Sequence, residues 1–242
     1  MKQLTPISRE RANDAVYSAL RQAVLASVLK PGQKLNVSEL STQLGVSLTP
    51  VRNAIQLLAA EGLIEVHPRS GTFVATVNAN DVRETFEIRR ALECLAVELA
   101  TVHITGKELD QLRALLTSMK KPVRNEEELL QHQQDNARFH LTMLESARNG
   151  RLLDAYQRLN AHIQIARVHA AEPDWKSRLK DERNEHEDIV DAIASGDGPR
   201  GARAMRAHLD RACASLIQSI ERKNDRKKVE KTATAASENR AD

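Results

Sequence analysis

The chain has 242 residues, of which 41% are apolar, 29% charged and only 2% aromatic, with two cysteines and a formal net charge of +3. That length suits one small and one larger domain, and a core rich in Leu, Ala and Val favours packed helices over a β-sandwich. No apolar run approaches the ~20 residues of a membrane span and no signal-peptide core opens the chain, so a soluble cytoplasmic protein is expected. Cys94 and Cys213 lie in helical patterns without a CxxC partner and read as buried reduced thiols. The charge is uneven. Up to Val77 there are eight basic and five acidic residues, from Arg222 onward seven and four, and the middle holds 21 and 24. A basic head on a mildly acidic body fits a nucleic-acid-binding head, although a basic tail can be solvated.

Residues 1–7 read as a mobile arm. Ser8 can cap a helix reaching about Val28, with Ala12, Ala15, Val16, Ala19, Leu20, Ala23 and Val24 on its buried side. Pro31-Gly32 breaks it. Asn36 with Glu39 makes a capping box for a short helix that carries Leu40 and Leu44 on one face and ends at Gly45. After a turn at Val46-Ser47, Thr49 caps a second helix with Pro50 at its first position. Val51, Ala54, Ile55 and Leu58 line one side of it, while Arg52, Asn53 and Gln56 point the other way. Gly62 stops it. Leu63–Val66 and Thr72–Val74 alternate like two strands joined through His67, Pro68, Arg69, Ser70 and Gly71. Any αα-hairpin followed by a β-hairpin shares this outline. Read as a winged helix-turn-helix, it lays the second helix in the DNA major groove.

The stretch LGVSLTPVRNAIQLLAAEGLIEVHPRSGTFV resembles the DNA-binding domain of GntR-type bacterial transcription regulators, whose pattern here is close to LGVSRTPVREALxxLxxEGLVxxxPxxGxxV. The resemblance runs from about Arg9 to Val77. It implies that the first helix supports the recognition helix and that the retained Arg52 contacts DNA; Thr49, Asn53, Gln56 and, from the wing, Arg69 are the other candidate DNA-contact residues. Arg69 reads equally well as a solvated turn residue, and His67 lies near it. This chain has Leu48 where the family usually carries a DNA-contacting arginine, Ser38 where another arginine is common, and Asn53 for the usual glutamate. Asn53 and Gln56 bring amides suited to adenine, so these residues point to the fold and to DNA binding but do not define the operator sequence.

Residues 77–80 read as a hinge, and everything beyond them as helix: 81–102, with Val82, Phe86, Leu92, Leu95, Ala96 and Leu99 apolar; 105 to about 120, from a Thr105/Glu108 capping box; 125–150, from an Asn125/Glu128 box to a C-capping Asn149-Gly150 pair; 151–170; 175–195, stopped by Gly196; and a last helix started by Asp197 and Pro199, ending near Arg222. Short loops make this an antiparallel bundle. Residues 223–242 are polar and read as a disordered tail. The fold class is therefore mainly α, with a winged helix-turn-helix at 1–77 and an all-helical bundle at 78–222. The segments DVRETFEIRRALECLAVELA, NARFHLTML, EHEDIVDAIASGD and ARAMRAHLDRA resemble the FCD-type effector domain of one GntR branch, over roughly residues 80–220.

Asn136 and His140 sit four apart on one helix, with His186 and His208 on later helices. Bundle cores build metal sites this way. Spacing alone also allows scattered surface histidines, and no HExxH or cysteine cluster strengthens the pattern. The FCD resemblance implies that these four positions hold a divalent metal such as zinc or nickel, with Asn136 replacing the family's usual aspartate. Asp135 is one residue off the required face. His103, His132, His162 and His169 match no motif position and read as surface or pocket-wall groups. The resemblance also implies that Arg89 lies near an effector pocket, where a guanidinium clamps the carboxylate of a small organic acid. Alternatively Arg89 forms a surface i,i+4 ion pair with Glu93. The expected protein is a homodimeric, acid-responsive transcription regulator, most often a repressor, bound to an inverted-repeat DNA operator. A metal-responsive regulator without an organic effector is a second reading. A metal-dependent enzyme is a third, but Glu185 and Glu187 beside His186 point elsewhere on their helix and supply no general base.

Overall fold

The computed structural model describes residues 9–26, 28–169 and 175–238. The arm at 1–7 and its capping Ser8 lie outside the described residues. Two compact units divide the chain: one runs to Asn78 and includes Leu159–His169, and the other begins at Ala79.

The first unit contains α1 (Arg9–Leu25), β1 (Lys34–Leu35), α2 (Val37–Leu44), α3 (Leu48–Ala60), β2 (Ile64–His67) and β3 (Gly71–Val74). On α1 the buried residues are Val16, Leu20 and Val24, one helical turn apart, while Ala15 and Ala19 are exposed. Methyl groups are too small to reach the partner helix from the edge of that face. Tyr17 donates to Glu61, the residue that caps the C-terminus of α3, and Arg21 Nε donates to the same carboxylate at 3.2 Å. The first helix is thereby tied to the end of the third.

Asn36 caps α2 by accepting from the Ser38 and Glu39 amides, and Glu39 answers on the Asn36 side chain. Gly45 closes α2 at φ 63°, a left-handed conformation that glycine adopts without penalty. Helix α3 starts earlier than its sequence suggests. Ser47 is the N-cap, without a side-chain capping bond, so Thr49 and Pro50 fall inside the first turn. Proline is tolerated there because the amides of the first turn have no intrahelical acceptor.

The wing is a three-stranded antiparallel sheet in the order β1-β3-β2, with Lys34 opposite Phe73 and Val66 opposite Thr72. Two residues are too few to show alternation, which is why β1 is invisible in the sequence.

The second unit is an all-helical antiparallel bundle: α4 (Ala79–His103), α5 (Gly106–Met119), α6 (Glu126–Ser146), α7 (Gly150–His169), whose last turns belong to the first unit, α8 (Trp175–Ala194) and α9 (Gly198–Glu238). The Thr105/Glu108 box caps α5 as expected. Asn149-Gly150 has the opposite role to the expected one. It starts α7, the Asn149 side chain accepting from the Leu152 amide, while α6 has already ended at Ser146. Arg183 of α8 donates to the Met119 and Lys121 carbonyls and so caps α5 from outside. Gly201 lets α9 approach α4 closely. A Cβ there would sit 2.4 Å from Val97 Cγ1.

Helix α9 continues to Glu238, so the segment read as a disordered tail is helical to that residue. After Gly201 the chain has neither glycine nor proline to stop it, and Lys, Arg, Glu and Ala are strong helix formers. Among the described residues, no helix is long and apolar enough to cross a membrane.

Candidate metal centre and nucleic-acid interface

The buried face of α4 is not the one its leucines suggest. Val82, Phe86, Ala96, Val97 and Ala100 are buried together with Arg89 and Glu93, whereas Leu95 is exposed and Leu92 and Leu99 are half-buried. Arg89 and Glu93 are 1% and 0% exposed, and Arg89 Nε meets Glu93 Oε1 at 2.6 Å. The guanidinium also lies over Phe86, 4.6 Å from the ring centroid. The i,i+4 pair therefore exists, but inside the bundle. Burial alone would raise the Glu93 pKa; the charges of Arg89 and His140 outweigh it and hold the carboxyl down at about 2. Burial likewise opposes the charge on Arg89, and Glu93 outweighs it, with Tyr156 adding to the effect, so its pKa is raised.

Glu93 passes this order inward. Its second oxygen engages His140 Nδ1 at 2.5 Å. On the opposite side Glu185 Oε2 engages His208 Nδ1 at 2.9 Å, and its other oxygen pairs with Arg211. With Nδ1 turned to a carboxylate, Nε2 is the nitrogen each ring can give to a cation. This carboxylate–histidine arrangement fixes tautomer and orientation in metal sites. His140 of α6, His186 of α8 and His208 of α9 are all buried and offer ligand atoms within 4.8 Å of one another. Phe139 packs on the His186 ring with centroids 4.6 Å apart.

Asn136 is buried one turn before His140. Its Nδ2 donates to Glu182, and its Oδ1 accepts no hydrogen bond from any described residue. A buried amide oxygen left without a donor is what a cation ligand looks like before the cation is considered. Three imidazoles and an amide oxygen suit zinc, nickel and related divalent ions, so the residues present fit such a group.

The other polar residues near this helix sort differently. Asp135 accepts from Ser118 and Gln131, away from the histidines. His132 is buried rather than on the surface, with Nε2 3.7 Å from Glu182. His103 is exposed. The side chains of His162 and His169 lie outside the described residues. Glu182 matches no motif position, and Glu185, as a neighbour of His186, is expected to point about 100° away from it. At a helix contact that neighbouring direction is still interior: α8 packs on α9, and Glu185 reaches His208. The usable signal was Glu182 one turn before His186, matching Asn136 one turn before His140.

In the first unit, α3 separates its two faces. Val51, Ala54, Ile55 and Leu58 are buried; Thr49, Arg52 and Gln56 are exposed and Asn53 is half-buried. Leu48 is exposed beside them. Arg69 stands exposed at the wing tip with φ 68°, a left-handed conformation uncommon outside glycine. His67 rests on Phe73 and bonds Glu65 at 2.9 Å.

Residues 12–74 match the bacterial regulatory proteins, gntR family, and residues 84–211 match the FCD domain. The chain belongs to the GntR family of regulators that carry an FCD domain. It is a DNA-binding transcription regulator and not an enzyme. A Streptomyces ambofaciens relative, an uncharacterized HTH-type transcriptional regulator in an unstable DNA locus, is 31% identical over 86% of this chain and 84% of its own. The HTH-type transcriptional repressor RspR of Escherichia coli is 29% identical over 92% and 96%. Among solved structures, E. coli McbR/YncC superposes with a TM-score of 0.73 at 24% identity, covering 86% of this chain and 97% of that one. At that identity it supports the fold.

Proposed function

We propose that this GntR-family regulator is a homodimeric repressor in the cytoplasm whose hold on an inverted-repeat operator is set by a divalent metal and a small organic acid in the bundle. The observation that carries the reading is the buried His140–His186–His208 cluster, two of whose rings are oriented by carboxylates. Asn136, His140, His186 and His208 would hold the ion, zinc or nickel; bound, it supplies a positive centre that a carboxylate effector can complete. Thr49, Arg52, Asn53, Gln56 and Arg69 supply the DNA contacts, α3 reading base edges and the wing touching backbone.

A second copy fits α4. Ile88, Leu95 and Val102 are 51%, 43% and 74% exposed and recur every seven residues. That makes an apolar seam of three side chains, two turns apart, on one side of a long helix, and a two-fold operator calls for a two-fold protein.

The metal-responsive reading without an organic acid draws on a specific observation. Arg89, expected to clamp the acid, is 1% exposed and spends its Nε on Glu93 behind His140, so a carboxylate would have to reach its two buried terminal nitrogens. Operator release by zinc or nickel alone, against release by metal with a panel of carboxylic acids, separates the two. Release by neither, with His186→Ala indistinguishable from wild type, would remove the cluster from regulation altogether.

A further inference from the structure

Resting on the metal reading above, we infer that Glu182 is a positioning residue that compensates for the amide at position 136, by turning Asn136 Oδ1 toward the three histidines.

An amide ligand has a problem that a carboxylate lacks. Its two ends differ, and only the oxygen can bind a cation; the nitrogen presents two hydrogens to it. Half of the orientations available to a buried asparagine are therefore useless at a metal site. Here the choice is made from outside. Asn136 Nδ2 donates to the Glu182 carboxylate. A carboxylate only accepts, so it binds the nitrogen end of the amide and not the oxygen end. The oxygen is directed elsewhere, and it is the buried Oδ1 that meets no donor among the described residues.

The two helices are in register for this. Asn136 and His140 are one turn apart on α6, and Glu182 and His186 are one turn apart on α8. Glu182 is half-buried, with its second oxygen 3.7 Å from His132, one turn before Asn136. The carboxylate thus stands against two successive turns of α6. Three ligand positions then share one construction: Glu93 orients His140, Glu185 orients His208, and Glu182 orients Asn136. The first two fix which ring nitrogen faces the cation. The third fixes which amide atom does.

The same geometry alters what Asn136→Asp would do. A second carboxylate placed against Glu182 is repelled by it. Asn136→Asp supplies a charged ligand in place of a neutral one, but the tighter metal binding this brings should appear only when Glu182→Gln accompanies it, because glutamine can donate to the new carboxylate.

Zinc affinity of the full chain, measured by competition with a chromophoric chelator, tests the inference. Circular dichroism checks that each variant stays helical. Wild type should bind zinc and His186→Ala should not. Glu182→Gln should bind about tenfold or more weakly, within the roughly 10- to 100-fold span of outer-shell changes. Asn136→Asp/Glu182→Gln should bind at least as tightly as wild type and more tightly than Asn136→Asp alone. The glutamine substitution therefore weakens binding beside Asn136 and strengthens it beside Asp. Equal zinc affinity of Glu182→Gln and wild type, with His186→Ala still inactive, would overturn this inference and leave the metal reading standing. Weakening in both backgrounds would reduce Glu182 to a general source of negative charge and also overturn it. Zinc binding that ignores His186 in every variant would remove the metal reading and this inference together.

Discussion

Helices α3 and α6 carry the residues proposed to contact DNA and to hold a metal on opposite sides. On α3 the polar residues Thr49, Arg52 and Gln56 face out and the apolar ones face in, so the reading face is what remains once the core is assigned. On α6 the polar residues Asn136 and His140 face in, beside Phe139 and Met143. A surface that meets DNA can be left to solvent. A site that holds a small charged group must exclude water, and every buried polar atom then needs a partner. The carboxylates Glu93, Glu182 and Glu185 meet part of that demand, on His140, Asn136 and His208.

The sharpest test of this contrast removes one buried charge. Glu93→Gln leaves Arg89 ionised and buried, and should cost about 3–5 kcal/mol of stability by denaturant unfolding. Its pH dependence has a definite sign. The folded carboxyl titrates near 2, below its ordinary value of about 4.3. Its contribution is therefore complete above ~4.3 and is lost as pH falls toward 2. The gap between wild type and variant should narrow across that window. A constant gap would show that packing, and not charge, accounts for the loss.

Arg52→Ala tests the exposed side of the comparison. It should weaken specific operator binding by about 1–3 kcal/mol while leaving stability within ~0.5 kcal/mol, since Arg52 is exposed. Unchanged operator affinity in a gel-shift titration would place the reading face elsewhere. Leu48→Arg restores the family's usual donor next to it and should shift base preference.

Leu95→Lys puts a charge in the α4 seam. The dimer should dissociate at least about tenfold more readily by analytical ultracentrifugation, ~1.4 kcal/mol, with no loss of helicity. A dimer as tight as wild type would assign the interface to another face. The smallest effect is expected at the wing. Arg69→Ala should lower operator affinity by less than about 1 kcal/mol for all sequences alike, and reduce the salt dependence by roughly one phosphate contact. A change in sequence preference instead would mean that Arg69 reads bases.

The two regions also differed in how readily their sequences could be interpreted. In the head, local rules were enough: Asn36 and Gly45 bound α2, and the three- and four-residue spacing of Val51, Ala54, Ile55 and Leu58 names the buried face of α3. They miss the two-residue strand β1 and place at Thr49 the cap that Ser47 occupies. In the bundle, hydrophobic periodicity was misleading. Leu95 looked like core and is exposed, because Arg89 and Glu93 occupy the interior face that apolar residues would normally claim. An Arg–Glu pair at i,i+4 reads as a surface feature until a third group, His140, is known to lie against it.

What the sequence alone determined is the set of helices, the winged head and the identity of the ligand-type residues Asn136, His140, His186 and His208. The helices and the winged head follow from backbone propensity, capping and spacing within single elements, which act over a few residues; the four ligand-type residues follow from the FCD resemblance, because they lie on three different helices. What only the tertiary structure decided is which carboxylate serves which ligand. Glu93 reaches His140 across 47 positions and Glu182 reaches Asn136 across 46. Glu185 crosses 23 positions to His208. No local rule spans such distances. The pairings are set by how α4, α6, α8 and α9 pack, and that packing puts the carboxylates where the buried imidazoles and the buried amide need an acceptor.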